Sequence, residues 1–170
     1  EEIGQGAASR VWSAVHLPSQ QKIALKIFNE FSGKTATDNL FREIRLVARA
    51  SHPHIVRVFG YGQTQEPITL PSGDKLPKDH LYLVMELAEK GTLKVALGRV
   101  SWEETRAILL DILDGLARVH ARGIVHLDLK PVNVLLTDRG AVVSDFGIAV
   151  GQQVQQKTPK RAKTNGLGKL

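Results

Sequence analysis

The sequence predicts an α+β fold, with a sheet-rich first part and a helical second part. Three patterns carry that expectation: strand-like alternation over the first third, two helical periodicities further on, and short apolar runs that follow them. "SRVWSAVHL" (Ser9–Leu17) reads as a strand, "PSQQ" as a turn, and "KIALKIF" (Lys22–Phe28) as a second strand rich in branched residues. From Thr37 to Ala50, Leu40, Ile44 and Val47 recur at helical spacing, with Arg42, Glu43 and Arg45 between them. "HPHIVRVFGYG" leaves that helix through Pro53 and enters another strand. Residues 64–79 hold three prolines and a glycine and read as a surface loop, and "HLYLVMEL" (His80–Leu87) is the next strand. Ser101 and Glu104 form an S-x-x-E capping box ahead of an apolar helix face of Ile108, Leu109, Ile112, Leu113, Leu116 and Val119, which Gly123 ends. Short strands around "NVLL" and "AVVSD" come last, and no internal repeat is present.

A length of 170 residues suits one domain or two small lobes sharing a core. Hydrophobic residues at 42% and charged residues at 24% place the chain in the globular class. Its longest apolar runs break too early to span a bilayer, "LYLVMEL" at Glu86 and "AILLDIL" at Asp111. No secretory leader pattern opens the chain, and the absence of an initiating methionine leads us to expect a piece of a longer product. Zero cysteines exclude a disulfide framework and a thiolate zinc site and fit an intracellular, cytoplasmic location. The net charge of +6 would suit a nucleic-acid binder, but five of the basic residues sit in 151–170, which contain no acid. The remaining body is nearly neutral and shows no aromatic interleaving, so no nucleic-acid partner is expected. The Gln-, Lys- and Gly-rich tail reads as flexible and solvated.

Several residues suggest chemistry, each beside a plainer alternative. "IGQGAASRVW" reads G-x-G-x-x-S-x-V through Gly4, Gly6, Ser9 and Val11, and glycines at such a turn let backbone N–H groups approach a polyanion. Taken alone it also fits a tight hairpin. It is no dinucleotide fingerprint, because a strand follows the turn, and no Walker loop, because no Gly-Lys-Ser/Thr follows. Lys26 in "IALK" either faces solvent or holds an anion, and Glu43, seventeen residues on, is an exposed helix glutamate or a partner for a cation. In "HLDLKPVNVLL" (His126–Leu136) and "SDFG" (Ser144–Gly147), carboxylates, a lysine and an asparagine crowd into apolar surroundings, where an unpaired acid is costly. His52 and His54 lack a third metal ligand nearby and read as structural. His120 reads as a packed core residue and His126 as a support for the loop that follows it.

In this order and spacing, with Asp145 twelve residues after Asn133, these segments match the protein-kinase signature set. The chain resembles the eukaryotic protein kinase domain from Glu1 to about Gly151, with the Lys-Pro-x-Asn wording of serine/threonine kinases and a texture similar to the tyrosine-kinase-like group. The resemblance implies a bilobal fold. Residues 1–88 would form the N-lobe and hinge, 89–150 a partial helical C-lobe, and 151–170 a basic remnant of the activation segment. It also implies transfer of the γ-phosphate of ATP to serine or threonine of a protein substrate, with magnesium. Asp128 would accept the hydroxyl proton and Lys130 would stabilise the transferring phosphate. Asn133 and Asp145 would hold magnesium, and Lys26, fixed by Glu43, would hold the α- and β-phosphates. Ile3, Gly4 and Gly6 would belong to the nucleotide site, Val11, Ala24 and Leu135 would clasp the adenine, and Met85, Glu86 and Ala88 would form the hinge that reads it. Val47 and Phe146 would pack between the lobes.

Three departures from the family pattern stand out. Ser9 replaces the third glycine, and Leu127 replaces the arginine before the catalytic aspartate, which removes the usual partner of an activation-loop phosphate. After "DFGIAV" no A-P-E triplet appears, and the helices that complete the lower lobe in the family are missing, so apolar surface on the long helix is expected to be exposed. Those absences support a second reading, a non-catalytic ATP-binding or scaffold module.

Overall fold

The branched residues of the first third build strands because successive side chains go to opposite faces of a sheet, and both faces are covered here, one by the cluster of Ala24 and Phe28 and the other by Trp12, Ile27 and Leu76. The structure, a computed structural model, describes residues 1–6, 9–29, 34–70 and 73–146. β1 (Glu2–Gln5), β2 (Ser9–His16), β3 (Gln21–Phe28), β4 (Val58–Gln63) and β7 (Leu81–Glu86) form one antiparallel sheet in the order β1-β2-β3-β7-β4. The 64–79 segment, expected as a loop, also carries a two-stranded hairpin, β5 (Ile68–Thr69) with β6 (Lys75–Leu76). Its strands are too short to leave a periodic signal. A third sheet pairs β8 (Val134–Thr137) with β9 (Gly140–Val143), turning at Gly140, whose φ of +109° favours glycine. The α+β expectation therefore holds.

α1 (Lys34–Ala48) joins the two cores. Its Leu40 and Ile44 pack with Ala24, Phe28, Leu83, Met85 and Val142, one turn before Val47 enters a second cluster with Ile55, Ile112, Val119, Val143 and Phe146. Fully burying side chains of this size contributes about 1.5–3 kcal/mol each, so the helix ties sheet and lower part together through apolar contact. Val47 and Phe146 share one cluster, as the resemblance implies. The lower part is also zipped to the segment after α1 by backbone bonds: Val143 N donates to His54 O, and Val56 N donates to Val143 O.

α2 (Leu93–Ala96) is a single turn that the sequence reading misses. α3 (Trp102–His120) begins as read, with the Glu104 N–H donating to Ser101 Oγ at 3.2 Å and Ser101 N–H donating to Glu104 Oε2 at 2.7 Å. Its apolar face needs correction. Ile112, Gly115 and Val119 are buried, but Leu109 and Leu113 are 49% and 62% exposed, and His120 is exposed and not a core residue. The reason is geometric: α3 packs on one side only, and successive helical residues turn by about 100°, which carries these side chains off the contact stripe. This is the exposure of apolar surface expected for the long helix. Among the described residues no helix is long and apolar enough to cross a membrane. The 151–170 tail lies outside the described residues.

Gly115 lies close against the segment after α1, since a Cβ there would stand 2.6 Å from His54 O. His52 and His54 take structural positions at this junction, with His54 Nδ1 at 2.9 Å from Ala141 O and His52 Nε2 at 3.5 Å from Asp114. We predict that Gly115→Ala destabilises the fold although alanine favours a helix by about 1 kcal/mol. Overpacking against backbone costs typically about 1–3 kcal/mol, so the net change should be a loss, read as a lower urea midpoint. A raised midpoint would show that the two segments separate freely.

Candidate active site

Strand register puts the N-terminal site residues on one face. Gly4 pairs with Val11, Val11 with Lys26, and Lys26 with Leu83, while Ala24 pairs with Met85. Directly opposed residues share a face, and so do residues two apart on one strand, so Gly4, Val11, Ala24, Lys26 and Met85 look the same way. Ala24 and Met85 are buried in the first core cluster, with Val11 and Leu135 packed against it. Gly6 closes the β1–β2 turn through its N–H to Ser9 O at 2.9 Å, and Ile3 stands at the edge, 49% exposed. Ala88 follows β7 and accepts from Gly91 N at 3.1 Å. The Glu86 side chain points to the opposite face, as strand alternation requires for the residue next to Met85.

The lower half of the site is a polar loop locked onto β9. Asn133 and His126 are buried, and Ser144 donates to Asn133 O through both its N–H (2.9 Å) and its hydroxyl (3.0 Å). His126 Nδ1 accepts from Asp128 N at 3.3 Å, which leaves the Nε2–H to donate to Ser144 O at 2.8 Å. This double role of His126 is more specific than the support the sequence suggests. Asn133 Nδ2 donates to Asp128 O at 2.9 Å and to Asp128 Oδ2 at 3.2 Å, which turns the amide oxygen away from Asp128. Lys130 Nζ lies 2.7 Å from the same Oδ2. Leu127 (φ 61°) and Asp145 (φ 57°) adopt the left-handed backbone that non-glycine residues rarely take, at a cost of order 1–3 kcal/mol each. Leu127, 77% exposed, gains nothing from packing there, so the bonds of its neighbours impose its conformation.

The pairing of Lys26 differs from expectation. Lys26, only 8% exposed, donates to Asp145 Oδ1 at 2.6 Å. The expected Lys26–Glu43 pair is not formed: Glu43 is exposed and has no ion pair among the described residues. Glu43 sits beside the Leu40–Ile44–Val47 stripe and not on it, so packing of that stripe leaves its carboxylate at the rim. Asp145 is carried to Lys26 by the β8–β9 hairpin, and a buried ammonium takes the carboxylate that reaches it. Partial burial pushes the Glu43 carboxyl up even though the residue reaches solvent. The Lys130 hydrogen bond holds the Asp128 carboxyl below the ordinary aspartate range. Desolvation opposes that shift, and the Lys130 charge and the Asn133 amide reinforce it.

Two polar groups from distant segments are thus tied together through the Ser144–Asn133 bonds, one carrying Asp128, Lys130 and Asn133 and the other pairing Lys26 with Asp145. Residues 1–166 match the protein kinase domain family. The chain belongs to the protein kinase family. It is 34% identical over 162 residues to CBL-interacting serine/threonine-protein kinase 18 of Arabidopsis thaliana, covering 91% of this chain and 28% of that protein. It is 33% identical over 158 residues to a probable serine/threonine-protein kinase PknB of Bifidobacterium longum, covering 86% of this chain and 22% of the relative. A crystal structure of Rad53 1–466 in complex with AMP-PNP is similar with a TM-score of 0.68 and 30% identity, over 87% of this chain and 37% of that one. The kinase chain therefore spans under a third of the length of these two curated relatives. The Gly147 that closes the D-F-G triplet lies outside the described residues.

The Lys26–Asp145 pair is unequally buried, with side-chain exposures of 9% and 32%. Asp145→Ala strands an ammonium in the kinase core and should cost about 2–4 kcal/mol, somewhat less than the roughly 3–5 kcal/mol of a fully buried pair. Lys26→Met should cost less, because the charge leaves the buried position and Asp145 keeps its contact with water. Urea denaturation of both variants gives the comparison, and a larger loss for Lys26→Met would contradict this account. A second expectation concerns pH. Because the Asp128 value is depressed in the folded state, its contribution to stability is present above the ordinary aspartate value and lost as pH falls through the folded one. Lys130→Met should move the Asp128 titration upward, followed by carboxyl-carbon NMR. An unmoved midpoint would show that Lys130 does not hold the carboxylate.

Proposed function

We propose that this chain carries the nucleotide-binding and phosphoryl-transfer residues of an ATP-dependent serine/threonine protein kinase. The observation that supports this most is a pair of polar clusters, Asp128 with Lys130 and Asn133, and Lys26 with Asp145, tied together by the bonds from Ser144, the residue before Asp145, to Asn133. Phosphoryl transfer asks a protein mainly for placement and charge neutralisation, and the site offers both. The bond from the substrate hydroxyl oxygen to the γ-phosphorus forms, the bond to the β,γ-bridging oxygen breaks, and ADP leaves. Asp128 is ionised at neutral pH, aims the hydroxyl and takes its proton as the new bond forms. Lys130 is close enough to Asp128 to offset negative charge on the transferring group. Lys26 turns from Asp145 toward the phosphates when nucleotide is bound, and Gly4 and Gly6, having no side chains, let the backbone where β1 leads into β2 approach them closely. Val11, Ala24 and Leu135 enclose the base, whose edge the main chain at Met85–Ala88 reads. Protein substrate and nucleotide are the partners this reading requires.

A magnesium ion fits the donor set. It prefers hard oxygens, and Asp145 supplies a carboxylate while Asn133, its Nδ2 committed to Asp128, presents its amide oxygen. When bound, the ion neutralises phosphate charge.

One observation favours the second reading, a non-catalytic ATP-binding or scaffold module. Glu43 is off Lys26, so the pair expected of a transfer-ready site is open.

Asp128→Asn separates the two readings. It should reduce transfer of labelled γ-phosphate to a serine/threonine substrate by roughly a hundred- to ten-thousand-fold, the range for general-base work, while ATP binding changes little. Equal, trace-level transfer by both forms with intact ATP binding would favour the scaffold.

A further inference from the structure

Behind the hinge, on the face away from Lys26, the structure holds a polar junction that nucleotide chemistry does not use. Arg139, at the β8–β9 turn, donates through Nη1 and Nη2 to the two carboxylate oxygens of Glu86, and through Nε to Pro53 O at 2.7 Å. Glu86 Oε1 also accepts from Arg57 N at 2.7 Å, while Glu86 N donates to Arg57 O at 3.0 Å. The Glu86 side chain is 11% exposed and the Arg139 side chain 26%. One carboxylate is thereby held by three donors from two stretches of chain, and one guanidinium bridges the segment after α1 and the end of β7.

We propose that Arg139 is a positioning residue for adenine recognition, acting through Glu86 to fix the hinge main chain. The proposal rests on the reading of Met85–Ala88 as the adenine-reading hinge. Strand alternation turns the Glu86 side chain away from the face of Ala24 and Met85, so the clasp reaches the nucleotide only by setting the backbone. The other end of the clasp is anchored on the hairpin that carries Leu135 and leads into Asp145. Adenine is enclosed by β2 and β3 on one side and Leu135 on the other, and the clasp fixes the spacing of hinge and hairpin from outside. A hinge already ordered loses less freedom on binding, which strengthens affinity without a new contact. Arginine is required, since three donors in one planar fork reach two acceptor groups, whereas lysine offers a single point charge. An ordinary exposed ion pair would contribute little. This one is largely buried and bidentate.

The test compares ATP with inorganic tripolyphosphate, which lacks the base, by calorimetry on the chain and on Arg139→Lys, Arg139→Ala and Glu86→Gln. Arg139→Ala should weaken ATP about tenfold, a change of about 1.4 kcal/mol, and Arg139→Lys nearly as much, with tripolyphosphate changed by less than about twofold. Adding Glu86→Gln to Arg139→Ala should cost little more than either alone, because both remove the same clasp. If Arg139→Ala fails to fold, Arg139→Lys, which keeps charge and bulk, carries the test. Unchanged ATP affinity in Arg139→Lys overturns the proposal, as does parallel weakening of ATP and tripolyphosphate, which would mark general loosening. Absence of ATP binding by the unsubstituted chain overturns the nucleotide reading and this proposal with it, a result distinct from binding that is insensitive to Arg139.

Discussion

Buried polar groups must find partners, and the three that lie deepest here, His126, Asn133 and Ser144, find one another or the backbone beside them. The rest of the site hangs on that junction. Leaving one such group unpaired costs about 1–3 kcal/mol, so the loop cannot slide along β9 without breaking several bonds at once. Asp128 is then aimed by the Asn133 amide, and Leu127 is forced into the left-handed backbone. Strain at Leu127 and Asp145 is thus a consequence of satisfying neighbours, placed beside the residues that would do chemistry.

Electrostatics acts on top of this frame by offering choices between partners. Lys26 has one ammonium and two candidate carboxylates, and it is paired with Asp145. Burial makes that choice strong, because a buried cation must be matched, while Glu43 at the rim is only partly desolvated. Movement of α1 that brought Glu43 inward would have to compete with an established ion pair and repack the Leu40–Ile44–Val47 stripe. The open pair is therefore a property of two cores joined by one helix, as much as of the charges themselves.

Among the described residues, sheet and lower part are held together by α1, which contributes to both apolar clusters, by the backbone zip between 54–56 and Val143, by the Lys26–Asp145 pair and by the Arg139–Glu86 clasp. The first two are apolar or backbone contacts that any compatible sequence could make. The clasp is specific, since it needs an arginine at a hairpin turn and a glutamate at a strand end.

Much of this was legible in the sequence. The long strands and both long helices follow from periodicity, the start of α3 from Ser101 and Glu104, and the clustering of the candidate site residues Asp128, Lys130 and Asn133 from their close spacing. These are local patterns, in which a residue's neighbours along the chain already constrain its conformation. Tertiary structure alone decided which carboxylate Lys26 takes, that Glu86 turns to Arg139 fifty-three residues away, and that Leu109, Leu113 and His120 lie outside the packed stripe of α3. Short elements such as β5, β6 and α2 also escaped, being too brief to show a period. The physical reason is common to all of these. Partner choice over long separations depends on how rigid elements dock, and a difference of an ångström or a fraction of a helical turn exchanges one satisfied pair for another without changing any local pattern.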